Sequence, residues 1–349
     1  MTRTLTLEEI YAPVEARLKN IPAAIQEILS TPNELARDVV RYFFSSQGKL
    51  LRPALTFLGA EIKGSDEGIE RRLTALAASF EIFHAATLIH DDIIDSAYLR
   101  RSIPTINVKW GPEVAVLVGD YLHDKAIGAI FSNGSEKIVS AFLHTAGTVC
   151  DGEIHELKEK DNFDLTEKEY LEIVDKKTAV LLACALECGG ILAGATPEET
   201  RALNRFGHAF GIAFQIIDDC LDFTGQEQEF GKTLGADCAA GVLTLPLMRL
   251  IQLDPKNKIE IQNIFSAANL GGSLPAGQAG ASGGKSAALP ARKFESLFAM
   301  IREQGALDYS LERAREYCDK ARLELSVFRD GPGRQSLDRL LDYVIDRSR

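Results

Sequence analysis

Apolar residues recur at helical spacing along almost the whole chain, and no stretch alternates apolar with polar in the manner of a half-buried strand. Residues Leu73–Ile94, Val114–Phe131, Ile138–Leu157 and Leu203–Leu221 each read as a long apolar helix. Breakers punctuate them: Pro32 and Asn33, Gly64 and Ser65, Pro104, Gly111 and Pro112, Asn133 and Gly134, Pro197 and Pro255. Thr166 and Glu169 form a capping-box pattern that opens a helix expected to run through Lys176. A chain of this kind buries its apolar faces helix on helix, so the expected fold is all-α, a single large bundle of ten or more helices spanning 1–349. One segment departs from the pattern. Residues 271–290, GGSLPAGQAGASGGKSAALP, have little apolar surface to offset an ordering entropy of roughly 1–2 kcal/mol per residue, and read as a flexible Gly/Ala-rich insertion. The residues after it again carry helical spacing and are expected to pack back on the main body.

Composition narrows the function. The chain is 46% hydrophobic and 26% charged, which excludes general disorder. Its net charge of -11 argues against nucleic acid, which needs a basic surface. The six cysteines (150, 184, 188, 220, 238 and 318) include no CxxC pair, so structural zinc and a redox dithiol are disfavoured, and free thiols in a reducing compartment are expected. The first twenty residues lack the apolar centre of a signal peptide, so a cytoplasmic location is expected. The longest apolar run, Thr178–Ala195, approaches membrane-span length, but Glu187 sits inside it with Gly189 and Gly190 behind. It reads as a buried core helix, and no transmembrane segment is expected.

The chemistry concentrates in two acidic clusters. His90-Asp91-Asp92-Ile93-Ile94-Asp95 places three carboxylates within five residues of an otherwise apolar helix. Asp91 and Asp95, at i and i+4, share one helix face, and Asp92 is turned by about 100°. Asp218-Asp219-Cys220-Leu221-Asp222 repeats the spacing at the end of a second apolar helix. Either cluster alone is compatible with a solvated acidic face. Two of them, on helices able to face one another, suggest a carboxylate-walled pocket. Burying such charge uncompensated would cost several kcal/mol, which oxygen-seeking divalent cations offset. Mg²⁺ would in turn hold a polyphosphate.

Basic residues that would meet such an anion stand close by in sequence. Arg100 and Arg101 follow the first cluster, two to three helical turns beyond Asp91 if the helix continues. Lys49 and Arg52, in GKLLRP, share one face if helical. Lys176, Lys177 and Thr178 join one helix pattern to the next, Lys232 follows the second cluster, and His84 precedes Asp91 by two turns.

With these residues in view, the chain resembles the trans-isoprenyl diphosphate synthases, or polyprenyl synthetases, from about residue 8 to the end. The resemblance rests on GKLLRP, HDDIIDSAYLRR, KTA at 177–179, FQIIDDCLDFTG and GKTLGAD. It implies an all-α fold with a central active-site cavity, a homodimer, and Mg²⁺, about three ions per site. It implies Asp91, Asp95 and Asp218 as principal metal ligands, with Asp92, Asp219 and Asp222 supporting. Arg100, Lys177, Gln215 and Lys232, with Thr178, resemble the residues that grip an allylic diphosphate. Lys49, Arg52, His84 and Arg101 resemble the pocket for isopentenyl diphosphate. The implied reaction is Mg-assisted ionisation, condensation and elimination, giving a medium- or long-chain all-trans polyprenyl diphosphate. One position departs: Gly241-Val242-Leu243-Thr244-Leu245-Pro246 carries Val242 where the family has a lysine.

In this family the growing tail passes the residues one or two turns before the first cluster. Here Thr87 and Ala86 are small, and Phe83 is the nearest large group. HAATLIHDDIIDSAYLRR, VAVLVGDYL, DGEIHEL and DYVIDRSR also look like the octaprenyl/heptaprenyl subgroup. A deeper residue such as Phe142 could cap the tunnel, so geranylgeranyl or farnesyl diphosphate remains an alternative product. The chain could also be the catalytic subunit of a heteromeric synthase. A different class, an HD-type metal phosphohydrolase built on His90-Asp91, leaves the second acidic cluster and GKLLRP without a role. The absence of a spanning segment leaves peripheral membrane contact as the expected route of product release.

Overall fold

The computed structural model describes residues 6–46, 48–64, 67–224, 240–271 and 288–347. Helices dominate them. In chain order they are α1 (Leu7–Tyr11), α2 (Glu15–Leu18), α3 (Ile21–Ile28), α4 (Glu34–Phe43), α5 (Leu51–Glu61), α6 (Glu70–Ile94), α7 (Ile106–Trp110), α8 (Pro112–Asn133) and α9 (Glu136–Lys158). There follow α10 (Glu167–Val174), α11 (Val180–Leu192), α12 (Pro197–Thr224), α13 (Leu245–Leu253), α14 (Pro255–Gly271), α15 (Ala288–Glu303), α16 (Ala306–Glu324) and α17 (Pro332–Asp346). Two short antiparallel strands, β1 (Leu99–Arg100) and β2 (Ile103–Pro104), pair Leu99 with Pro104 and Arg100 with Ile103.

The helix starts follow their sequences. The Thr166 hydroxyl accepts from Glu169 N–H while the Glu169 carboxylate accepts from Thr166 N–H, closing the capping box. Proline opens α8, α12, α14 and α17, where its missing N–H is no loss. The all-α bundle is therefore the fold observed.

α11 lies at the centre, packed on α5, α9 and α12, and nearly all of it is buried. An apolar surface all round is what such a position requires, so Thr178–Ala195 is a core segment as expected. α6 is also long and apolar enough to cross a membrane by length and composition, but 61% of its apolar window is buried within the bundle. Two seams are set by backbone contact. A Cβ on Gly207 or Gly211 of α12 would lie 2.3 or 2.4 Å from the Cα of Ala183 or Ala179. A Cβ on Gly59 of α5 or Gly189 of α11 would lie 2.1 or 1.9 Å from the carbonyl oxygen of Leu186 or Thr56. Only glycine permits these approaches.

Three local expectations change. The helix opened at Thr166 does not run as α-helix through Lys176: α10 ends at Val174 and a π-turn occupies Asp175–Ala179. α6 does not continue to Arg100: it ends at Ile94, Ser96 takes φ +51°, and the chain reverses through the β1–β2 hairpin. Lys49 and Arg52 do not share a helix face, because α5 starts at Leu51, after Leu50 at φ +48°. The Gly/Ala-rich 271–290 segment lies mostly outside the described residues. α14 reaches Gly271 and α15 already begins at Ala288. Of the cysteines, 184, 188, 220 and 318 are buried, Cys150 is exposed, and Cys238 lies outside the described residues.

Candidate active site

The first acidic cluster ends α6. Asp91 lies beside Glu153 of α9, Asp95 and Lys177. Burial, then the negative charge of Glu153, pushes its carboxyl up to about 7, although Lys177 and Arg100 pull the other way. Asp92 points elsewhere. The hairpin brings Arg100 back onto it, with Nε 3.0 and 2.9 Å from its two carboxylate oxygens and Nη2 2.8 Å from one of them. Asp92 is buried, and burial raises its carboxyl despite that clamp. Asp95 is held by Lys160, 3.2 Å away.

Lys177 sits on the π-turn. Its Nζ lies 2.5 Å from Glu156 and 3.0 Å from Glu153. Burial opposes its charge, but Glu156, Glu153 and Asp91 outweigh burial and hold the ammonium protonated. Thr178 donates to Gln215 Oε1 at 2.9 Å, and Gln215 Nε2 donates to Asp219 at 2.8 Å. The second oxygen of Asp219 accepts from the Tyr170 hydroxyl at 2.5 Å. Asp218 pairs with Arg347, just past the end of α17, at 3.3 Å. Asp222 is half-buried on the same helix. Two residues of one turn thus connect the α6 cluster to the α12 cluster. Among the described residues, no three His, Cys, Asp or Glu side chains are gathered as a ready ligand set. Cations and hydroxyls hold several of these carboxylates apart.

A second group of cations adjoins the first. Burial brings the Arg52 guanidinium down to about 10, with Glu81 opposing, and its Nε has no hydrogen-bond partner among the described residues. Arg347 Nε is likewise buried and unpartnered. Burial and then Arg347 lower the Lys49 ammonium, while Asp218 raises it. Arg101 donates to Ser46 O at 2.8 Å. A Cβ on Gly48 would stand 2.6 Å from Arg101 Nη2, so the glycine of GKLLRP makes room for that guanidinium. Burial raises the Glu81 carboxyl, and the charges of Arg52 and then Arg101 lower it. Buried donors without acceptors, crowded among like charges, suit an anion.

His84 belongs to this group. Burial, then Arg52, Arg100 and Arg101, push its imidazole well below 6.5. A histidine lowered in the folded state binds fewer protons than the unfolded chain, so stability is lost as pH falls through 6.5. His84→Gln is expected to melt less pH-dependently between pH 6.5 and pH 5 than the parent. Parallel slopes of Tm against pH would refute this.

Below the first cluster, Phe83, Ala86 and Phe142 are buried and Thr87 is partly buried. Phe83 meets Phe142 at 5.1 Å and His123 at 5.0 Å between ring centroids, and Phe80 meets Phe142 at 5.7 Å. Of the residues singled out from sequence, Lys232 lies outside the described residues. Sequence reasoning gave no role to Glu81, Glu153, Glu156, Lys160, Tyr170 or Arg347. Glu153 and Glu156, at i and i+3 on α9, were readable as an acidic pair on one face. The others announce themselves only through distant partners.

The polyprenyl synthetase family model matches residues 33–271, and the chain belongs to that family. It is 31% identical to the octaprenyl diphosphate synthase of Escherichia coli (strain K12), over 99% of this chain and 100% of that one. It is 34% identical to the geranylgeranyl diphosphate synthase of Methanosarcina mazei, over 98% and 99%. Its fold matches that of a polyprenyl synthase from Caulobacter crescentus CB15 complexed with calcium and isoprenyl diphosphate. The TM-score is 0.88, with 28% identity and coverage of 100% and 99%.

Proposed function

We propose that this chain condenses isopentenyl diphosphate with a geranyl- or farnesyl-type allylic diphosphate, making a medium- or long-chain all-trans polyprenyl diphosphate. The observation that carries the reading is the turn joining both acidic clusters: Lys177 lies beside Asp91, and Thr178 reaches Asp219 through Gln215. Burial, and then the negative charge of Glu153 and Asp95, pushes Asp91 up to about 7, and a buried carboxylate crowded in this way fits a divalent cation with oxygen ligands. Asp91, Asp95 and Asp218 would be the principal ligands of about three Mg²⁺ ions, with Asp92, Asp219 and Asp222 supporting. Bound there, Mg²⁺ supplies Lewis-acid stabilisation of the departing diphosphate.

The chain's own residues do the rest. Lys177 arrives already charged, and exchanging Glu156 for a phosphate oxygen needs no proton. Arg100, Thr178, Gln215 and Lys232 complete the grip on the allylic diphosphate. Lys49, Arg52, His84 and Arg101 take the diphosphate of isopentenyl diphosphate, with the free donor of Arg52 supporting that assignment. These donors stabilise charge as the allylic C–O bond breaks. The apolar surface of α6 and α9 excludes water from the carbocation. The double bond of isopentenyl diphosphate then attacks it, and a proton is lost to the released pyrophosphate, as the family resemblance implies.

Val116 and Leu117 of α8, with Leu143, Ile154 and Leu157 of α9, are exposed apolar residues that support a homodimer. The cytoplasm is the proposed location, with peripheral membrane contact for product release. A shorter, geranylgeranyl-type product is favoured by one observation, the buried Phe83–Phe142 contact beneath the first cluster.

The test is incubation of the purified chain with farnesyl diphosphate, isopentenyl diphosphate and Mg²⁺, followed by product sizing. Elongation by the lone chain supports the reading. Inorganic phosphate released without condensation would instead favour the phosphohydrolase class.

A further inference from the structure

The π-turn that carries Lys177 is held at two points by α12. Within the turn, Val180 N–H bonds to Asp175 O, five residues back rather than four. Such turns are rare and persist where their surroundings over-determine them. Here α9 and α12 press on it from two sides: a Cβ on Gly152 would lie 2.8 Å from Lys177 N, and one on Gly211 2.4 Å from Ala179 Cα. Glycine contacts bound the turn but do not pin it. The polar pins are Thr178 to Gln215 at 2.9 Å and Asp175 Oδ1 to His208 Nδ1 at 2.5 Å.

His208 and Gln215 are seven residues apart, two turns of α12, and so face the same side. They grip the first and fourth residues of the turn. The same helix carries Asp218 and Asp219, so Lys177 is registered against the second acidic cluster through two hydrogen bonds. If the His208–Asp175 bond were lost, the segment could relax toward regular α-helix. Each residue of register then rotates a side chain by about 100° and would carry Lys177 away from Glu153 and Glu156. His208 and Asp175 are themselves only half-buried, with side-chain exposures of 31% and 36%. They stand outside the group of residues proposed to touch substrate.

We infer that His208 and Asp175 form a positioning pair that keeps the 175–179 turn wound, so that Lys177 faces the acidic clusters. The kinetic part of this inference rests on the proposed prenyl transfer. The winding of the turn does not.

The test compares the parent with His208→Leu, His208→Gln and Asp175→Asn. His208→Leu removes the hydrogen bond, and His208→Gln keeps a side-chain donor. Amide hydrogen exchange is followed across 174–180, alongside Tm and steady-state kinetics for each substrate. In His208→Leu, exchange in the turn is expected to quicken at least about 10-fold, and kcat to fall or the allylic KM to rise by about 10-fold. The KM for isopentenyl diphosphate should be unchanged. His208→Gln should recover most of both losses. Parent-like exchange in His208→Leu and Asp175→Asn would overturn the inference. So would an activity loss that follows Tm and is not recovered by His208→Gln. If the parent elongates nothing, the proposed function fails, and the exchange data still decide whether the pair winds the turn.

Discussion

Asp91→Asn is expected to lose about 10²–10³-fold in kcat while melting higher than the parent at pH 8 in a chelator. The two effects have one cause. Asp91 is crowded by burial, Glu153 and Asp95, which push it up to about 7. A carboxyl raised in the folded state binds its proton more tightly there than in the unfolded chain. Stability is therefore lost as pH rises from about 4 to about 7, and above that the full cost of the charge is present. Asparagine keeps the volume and removes the charge, so chelated protein should gain a few degrees at pH 8 and little at pH 4. The same charge is what would attract Mg²⁺. Adding Mg²⁺ at pH 8 should raise the parent Tm and shift the variant much less. Thermal melts at both pH values, with and without Mg²⁺, and product assays on the same preparations check this. A variant that keeps parent activity would remove Asp91 from the proposed ligands.

The second large effect concerns product length. Phe83 lies eight residues before Asp91, about 12 Å along α6, and packs against Phe142. Ala86 lies between, buried and small. Ala86→Phe is expected to shorten the dominant product by filling space above the Phe83–Phe142 contact. Phe142→Ala is expected to lengthen it. Overpacking at Ala86 costs about 1–3 kcal/mol, and emptying position 142 about 3–5 kcal/mol, so Tm must be followed in both. Sizing of radiolabelled products decides the matter. Unchanged length in two folded, active variants would show that the tail takes another path.

Sequence periodicity was enough to read the bundle, because long apolar helices declare themselves at a spacing of 3.6 residues. The acidic clusters were legible for a related reason: charge inside an apolar helix needs an explanation. What stayed hidden depends on backbone states with no residue signature. Ser96, Arg101 and Ser102 all take positive φ without being glycine, and that reversal brings Arg100 back to Asp92. Nothing in Asp175-Lys176-Lys177-Thr178-Ala179 marks a π-turn. It arises where Gly152 and Gly211, distant in sequence, let two backbones close on it. Glu153, Tyr170 and Arg347 carry no local signal because their partners lie 24 to 129 positions away.

The glycine seams divide the molecule into a part that resists change and a part that tolerates it. α12 meets α11 and the π-turn, and α5 meets α11, at distances fixed by main-chain atoms, so exchanges among the rings beneath the first cluster leave the spacing of these helices alone. The aromatic floor is made of side chains only. A lineage could therefore lengthen or shorten its product by exchanging one or two rings, without re-optimising the machinery above.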